Sequence, residues 1–172
     1  MMIKQALLLL ALAVILGLGV NLVSPNAVDY IGKYRDISSG DGPIVPPTAM
    51  EGDPAFIDVN VAQMEHAAGQ AIFVDAREEY EFHCGTIPGS VNLPFEYLPD
   101  ENFAGYIDSA LGYPDKDTPI IVFCSGEECD LSLHLARNLQ DLGYTNPAIF
   151  FGGAREWQNM GFEMEVSPEC GQ

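Results

Sequence analysis

The residues best placed to do chemistry lie in one short run, Cys124-Ser125-Gly126-Glu127-Glu128-Cys129-Asp130. It sits between the strongest strand pattern of the chain, Pro119 to Phe123, and the strongest helical pattern, Leu131 to Leu142. A turn from strand to helix points successive backbone N–H groups into one space beside a helix N-terminus. A thiol at the start of such a turn should be acidified, because those dipoles favour the thiolate. Cys124 is therefore a candidate nucleophile. The competing reading is a buried, inert cysteine, since free Cys is among the most buried residue types. Cys129 stands at the opposite rim of the loop, either as a second thiol or as a packing residue at the helix start. Asp130 is expected at or beside the N-cap. Glu127 and Glu128 should raise the pKa of the thiol and oppose the dipoles.

The flanking elements must hold this loop. Short apolar runs alternate with helical patterns from Phe56 onward. Strands are expected at Phe56–Val59, Ala71–Asp75, Ser90–Asn92, Pro119–Phe123 and Ala148–Phe151. Helices are expected at Val61–Ala68, Arg77–Phe82, Glu101–Leu111, Leu131–Leu142 and Ala154–Met160. Leu131, Leu135, Leu139 and Leu142 follow three-to-four spacing, with Gly143 as the stop. Pro-Ile-Ile-Val-Phe at 119–123 is fully apolar and rich in β-branched residues, as a buried parallel strand would be. Such alternation predicts an α/β fold, an open parallel sheet with helices on both faces. Sites in such sheets lie outside the carboxyl ends of the strands, where Asp75, Cys124 and Gly152 all fall.

The loop resembles the active-site loop of rhodanese-like sulfurtransferases, which begins with cysteine after a central strand. Asp75-Ala76-Arg77 resembles the D-x-R that follows the family's second strand. Tyr80 to Pro94 (YEFHCGTIPGSVNLP) resembles its segment with Tyr, Gly-His-Ile-Pro-Gly-Ala and Asn-hydrophobic-Pro. Gly152-Gly153-Ala154-Arg155-Glu156-Trp157, ending near Gly161, resembles its C-terminal glycine–tryptophan signature. The four motifs occur in order over roughly residues 56 to 165.

This resemblance implies a rhodanese-like fold and sulfur transfer. The Cys124 thiolate would attack the sulfane sulfur of thiosulfate or a persulfide. A thiol-type acceptor, which includes a partner protein's cysteine, would then take the sulfur from a Cys124 persulfide. No cofactor or metal is implied, because the cysteine is the carrier. Ser125, Gly126, Glu127, Glu128 and Cys129 would form the substrate loop. The chain departs from the pattern in three places: Thr86 replaces the usual histidine, Gly126 comes one position early, and no basic residue is present in the loop. Two carboxylates beside the thiol should repel thiosulfate, and the missing arginine disfavours phosphate chemistry. Cys129 could attack a Cys124 persulfide and leave a disulfide, if the two Cα atoms lie within the ~7 Å limit for bridging. A redox dithiol and a non-catalytic binding module remain alternatives. Asp75 and Arg77 are expected to tie a strand end to the next helix, Trp157 to pack in the core, and His134 to be structural. Phe95 to Phe103, with Tyr97, is either a lid near the loop or core. Cys84 is a further thiol of unspecified geometry, and Cys170 lies in the tail, 167–172.

Composition narrows the partners. The 172 residues carry 25 Asp and Glu against 7 Lys and Arg, a net charge of −18. Nucleic-acid affinity is mostly neutralisation of phosphates by Lys and Arg, so DNA and RNA are excluded as partners. With four cysteines, the chain is not a disulfide-built scaffold. Ala6 to Val23 has no charge and would form a helix of about 27 Å, close to bilayer thickness. An N-terminal transmembrane signal-anchor is expected over 1–23, because no small-residue cleavage site follows it. Its short N-terminus places the domain outside the cytoplasm, on the periplasmic side in a bacterium. Cleavage and secretion, or a cytoplasmic-facing domain, are the other arrangements. Residues 24–54, rich in Pro, Gly, Ser and Asp, read as a tether, and 55–166 as the rhodanese-like domain.

Overall fold

The structure is a computed structural model that describes residues 42–171 continuously, with Lys4–Ala6, Leu10, Leu12, Leu16, Gly19 and Val20 before them. The chain divides into two units, residues 1–36 and 37–172. The eight described positions of the first are helical. The expected span over 1–23 otherwise lies outside the described residues, as does the tether over 24–41. Among the described residues no helix is long and apolar enough to cross a membrane.

In the second unit the elements alternate. They are β1 (Ala55–Phe56), α1 (Val59–Ala68), β2 (Ile72–Asp75), α2 (Glu79–His83), β3 (Val91–Asn92), a 3-10 turn at Phe95–Tyr97, α3 (Phe103–Ala110), β4 (Ile120–Phe123), α4 (Leu131–Asp141), β5 (Pro147–Phe150) and α5 (Gly153–Asn159). The five strands form one parallel sheet in the order β1-β5-β4-β2-β3. Alternate residues of the central strands feed two cores. Val74, Ile120, Val122 and Ile149 join Ile107 of α3 and Leu133, Leu135, Ala136 and Leu139 of α4 on one face. Phe73, Ile121, Phe123 and Phe150 join Val59 and Ala62 of α1 and Ala154 and Trp157 of α5 on the other. All four residues of β4 are buried, which is why its run carries no polar alternation.

One local expectation is corrected and another holds with a different side-chain role. The strand expected at Phe56–Val59 stops at Phe56, because the Asp58 carboxylate accepts the N–H groups of Asn60 and Val61 and starts α1 at Val59. Asp130 does occupy the N-cap of α4, but its side chain makes no capping bond and instead accepts the Thr48 hydroxyl at 3.1 Å.

That contact belongs to a strap. Within the stretch read as a tether, the described part is docked: Ile44 packs against the core, and Arg137 of α4 pairs with Asp53 at 2.7 Å and donates to the Thr48 carbonyl. Gln140 adds a bond to the Gly52 carbonyl. The C-terminal end is also tied down, by a disulfide between Cys84 and Cys170 with Cα atoms 4.7 Å apart. This pairing was not anticipated, since the two cysteines are separated by 86 positions.

Candidate functional site

The parallel register aligns Asp75, Phe123 and Phe150 across β2, β4 and β5, so the loop after Phe123 leaves the carboxyl edge at the middle of the sheet. Cys124 begins it and is fully buried. The loop is held from the side by α5: Ala154 and Arg155 donate backbone N–H groups to the carbonyls of Cys124 and Ser125, at 2.9 and 3.1 Å. Gly153 makes that approach feasible. It has φ +61°, and a Cβ there would overlap the Cys124 carbonyl and press on the Gly126 nitrogen. Gly126, at φ +147°, turns the loop, and the Cys129 N–H closes it by donating to the Gly126 carbonyl at 2.9 Å.

The two cysteines meet inside this turn. Cys124 Sγ lies 2.8 Å from the Cys129 carbonyl oxygen and 3.5 Å from Ser132 Oγ. Both cysteines are free thiols. Burial pushes the Cys124 thiol well above its usual range, and the hydrogen bond and charge of Cys129 push it further. Cys129 behaves oppositely. Hydrogen bonding with Cys124 outweighs a burial penalty, the backbone of Leu131 and Ser125 assists, and its pKa falls to about 6. The Gly126 backbone and Ser132 do lower Cys124, but burial outweighs them, while the Leu131 and Ser125 backbone acts on Cys129. Glu127 and Glu128 are not what raises Cys124. Glu128 is exposed, and Glu127 Oε1 is buried without a hydrogen-bond partner.

Asp75 and Arg77 form a buried pair under the loop, 2.6 Å apart. Arg77 also donates to the Gly85 carbonyl, and Thr86 donates its hydroxyl to Asp75 at 2.8 Å. Burial pulls the Arg77 guanidinium down. Asp75 first, then Glu81 and Cys124, more than restore it, leaving it above its ordinary value. Ser125 is half-buried and donates to Glu81 at 3.1 Å.

A groove of about 360 Å³ runs beside the loop, lined by Arg77, Tyr80, Glu81, Ser125, Arg155 and Met164 among others. Its wall includes Cys84 of the disulfide. Arg155 is exposed and has no ion pair among the described residues, while Arg77, Lys116 and Arg137 are all paired. Of the remaining residues singled out from sequence, Trp157 is buried and donates to the Glu163 carbonyl, and His134 is exposed and stacks on Phe95. Tyr97 is exposed and donates its hydroxyl to Glu78, outside the groove lining.

Three residues near the site escaped the sequence reading. Ser132 is fully buried against Cys124, a position signalled only by its place on the first turn of α4. Arg155 was visible within the glycine–tryptophan motif, but nothing in its spacing pointed to the groove. Glu156 is buried, and its pKa is pushed up to about 7 by burial, then by Asp58 and Glu127.

A parallel sheet with a cysteine-led loop at the carboxyl end of its central strand, pinned by a glycine turn, is the architecture of a rhodanese-type α/β domain. The rhodanese-like domain family model matches residues 58–160, more than half of the chain, and the chain belongs to that family. A human thiosulfate:glutathione sulfurtransferase is 33% identical over 97 residues, covering 53% of this chain and 82% of that protein. A tRNA uridine(34) hydroxylase of Bdellovibrio bacteriovorus is 29% identical over 134 residues, 75% of this chain. This chain spans only 36% of that hydroxylase's length. A solved human single-domain sulfurtransferase is 25% identical with a TM-score of 0.52, covering 63% of this chain and 97% of that one.

Proposed function

We propose that this protein is a sulfurtransferase that carries sulfane sulfur as a persulfide on Cys124. The observation that carries this reading is the placement of Cys124. It heads the family's loop at the carboxyl edge of β4, with the Ser132 hydroxyl and the Cys129 carbonyl against its sulfur. The donor is thiosulfate or a persulfide, and the acceptor is a thiol, small or on a partner protein. Arg155 offers the groove positive charge that the loop itself lacks, which favours anionic donors there. A donor with carboxylates, such as glutathione persulfide, suits this arrangement better than thiosulfate, which must approach Glu127 and Glu128.

The setting forms part of the proposal. The apolar run Ala6 to Val23 anchors the chain in a membrane, with the domain outside the cytoplasm. The Cys84–Cys170 disulfide supports this, since such bonds persist in oxidising compartments.

The test is intact-mass analysis of the full chain, in mild detergent, after exposure to thiosulfate, to glutathione persulfide or to neither. A gain of one sulfur atom that disappears in Cys124→Ser is expected. No gain from either donor, in protein with a free Cys124 thiol, overturns the reading.

A further inference from the structure

The turn that joins Cys124 to Cys129 has a geometry that the persulfide-carrier reading does not use. Its two ends are drawn together by the Cys129-to-Gly126 hydrogen bond, and the Cys124 sulfur lies against Cys129. The Cys124 sulfur is 2.8 Å from the Cys129 carbonyl, and hydrogen bonding from Cys124 and from the Leu131 and Ser125 backbone lowers the Cys129 pKa. Cys124 is wholly enclosed, whereas Cys129 is half-buried. A large acceptor would have to open the loop to reach a Cys124 persulfide, but Cys129 is already in the same turn, its carbonyl 2.8 Å from that sulfur. We propose that Cys129 is the resolving thiol of this site, which attacks the Cys124 persulfide and releases its outer sulfur as hydrosulfide.

This rests on the Cys124 persulfide of the reaction above. The Cys129 thiolate attacks Cys124 Sγ, and the bond between Cys124 Sγ and the outer sulfur breaks. Its electron pair leaves with that sulfur as HS⁻, and a Cys124–Cys129 disulfide forms. The sulfane sulfur is reduced to sulfide, and the two cysteines are oxidised by the same two electrons. An external dithiol, small or on a protein, then reduces the disulfide through the more accessible Cys129 and departs as a disulfide itself. The domain thereby couples a persulfide to a dithiol reductant, with sulfide as the product.

The two thiols lie on either side of Glu127 and Glu128, so a glutamate-specific protease separates them and a disulfide between them appears as a cross-linked peptide pair. The full chain, with Cys124 and Cys129 shown to be free by alkylation, is mixed with one equivalent of glutathione persulfide and no other thiol, then quenched with acid and alkylated. The expected result is about one equivalent of sulfide and a Cys124–Cys129 cross-link in the wild type. Cys129→Ser should instead keep one extra sulfur on Cys124 and release at least tenfold less sulfide. A wild type that holds a stable Cys124 persulfide without sulfide or cross-link overturns the resolving role and leaves the carrier reading standing. An extra sulfur found on Cys129 overturns it too, in favour of a relay between the thiols. No sulfur uptake by the wild type or Cys129→Ser overturns both readings.

Discussion

At the scale of single residues, burial outweighs local dipoles. A cysteine at the head of a strand-to-helix turn is acidified only if the turn's N–H groups face its sulfur. Here the Leu131 and Ser125 backbone acts on Cys129, and at Cys124 desolvation outweighs the help of Gly126 and Ser132. Glu156 shows the same principle in a carboxylate, with a folded pKa of about 7 against an ordinary 4.5. The native state binds this proton more tightly than the unfolded chain, so Glu156's contribution to stability is fully present below pH 4.5. It is lost as pH rises to about 7, leaving a buried charge near Asp58 and Glu127. Glu156→Gln should therefore flatten the pH dependence. Its stability relative to the wild type should rise between pH 5 and 8, by roughly 2–3 kcal/mol in sum, since a tenfold change in proton affinity is about 1.4 kcal/mol. Urea unfolding at several pH values measures this, and parallel curves would count against the buried charge.

At the scale of elements, the site depends on α5 closing against the loop. Gly153 is the point of closest approach, and its left-handed φ suits glycine alone. Gly153→Ala should cost more than the roughly 1–3 kcal/mol of a strained backbone position, because its methyl also meets the Cys124 carbonyl. Thermal unfolding should show the loss. In folded protein, the rate of sulfur loading on Cys124 should fall as well. An unchanged melting temperature would show that the loop moves aside at little cost. The helices themselves followed from pattern: α4 was legible because Leu131, Leu135 and Leu139 repeat on one face, and α1 ends where Gly69 turns left-handed. Strand ends were less legible. Phe56 to Val59 reads as an apolar run, and only the Asp58 cap shows that the chain has turned into a helix.

At the scale of the molecule, two ties enclose the domain. The strap over 44–54 is fixed to α4 by Arg137 and Gln140, and the C-terminal end is fixed to the segment after α2 by Cys84–Cys170. A disulfide closing a loop of this length restricts the unfolded chain strongly. Replacing both Cys84 and Cys170 by Ser should lower stability by about 2–5 kcal/mol. Sulfur loading of Cys124 should persist in the variant, because the disulfide borders the groove without touching the thiol loop. Calorimetry on this variant, with a donor assay alongside, tests both parts. A loss of loading in folded protein would assign the disulfide a role in the site.

The sequence by itself determined the family, the alternation that builds the parallel sheet, and the loop at Cys124 to Cys129. Those depend on local periodicity and on short motifs that a linear chain displays in full. Only the tertiary structure decided which sulfur the loop dipoles reach, which carboxylate is buried, where Arg155 opens and how Cys84 finds Cys170. Each of these depends on distance and desolvation between segments remote in sequence. A Coulomb energy or a burial penalty is set by those distances in space, which residue spacing does not encode.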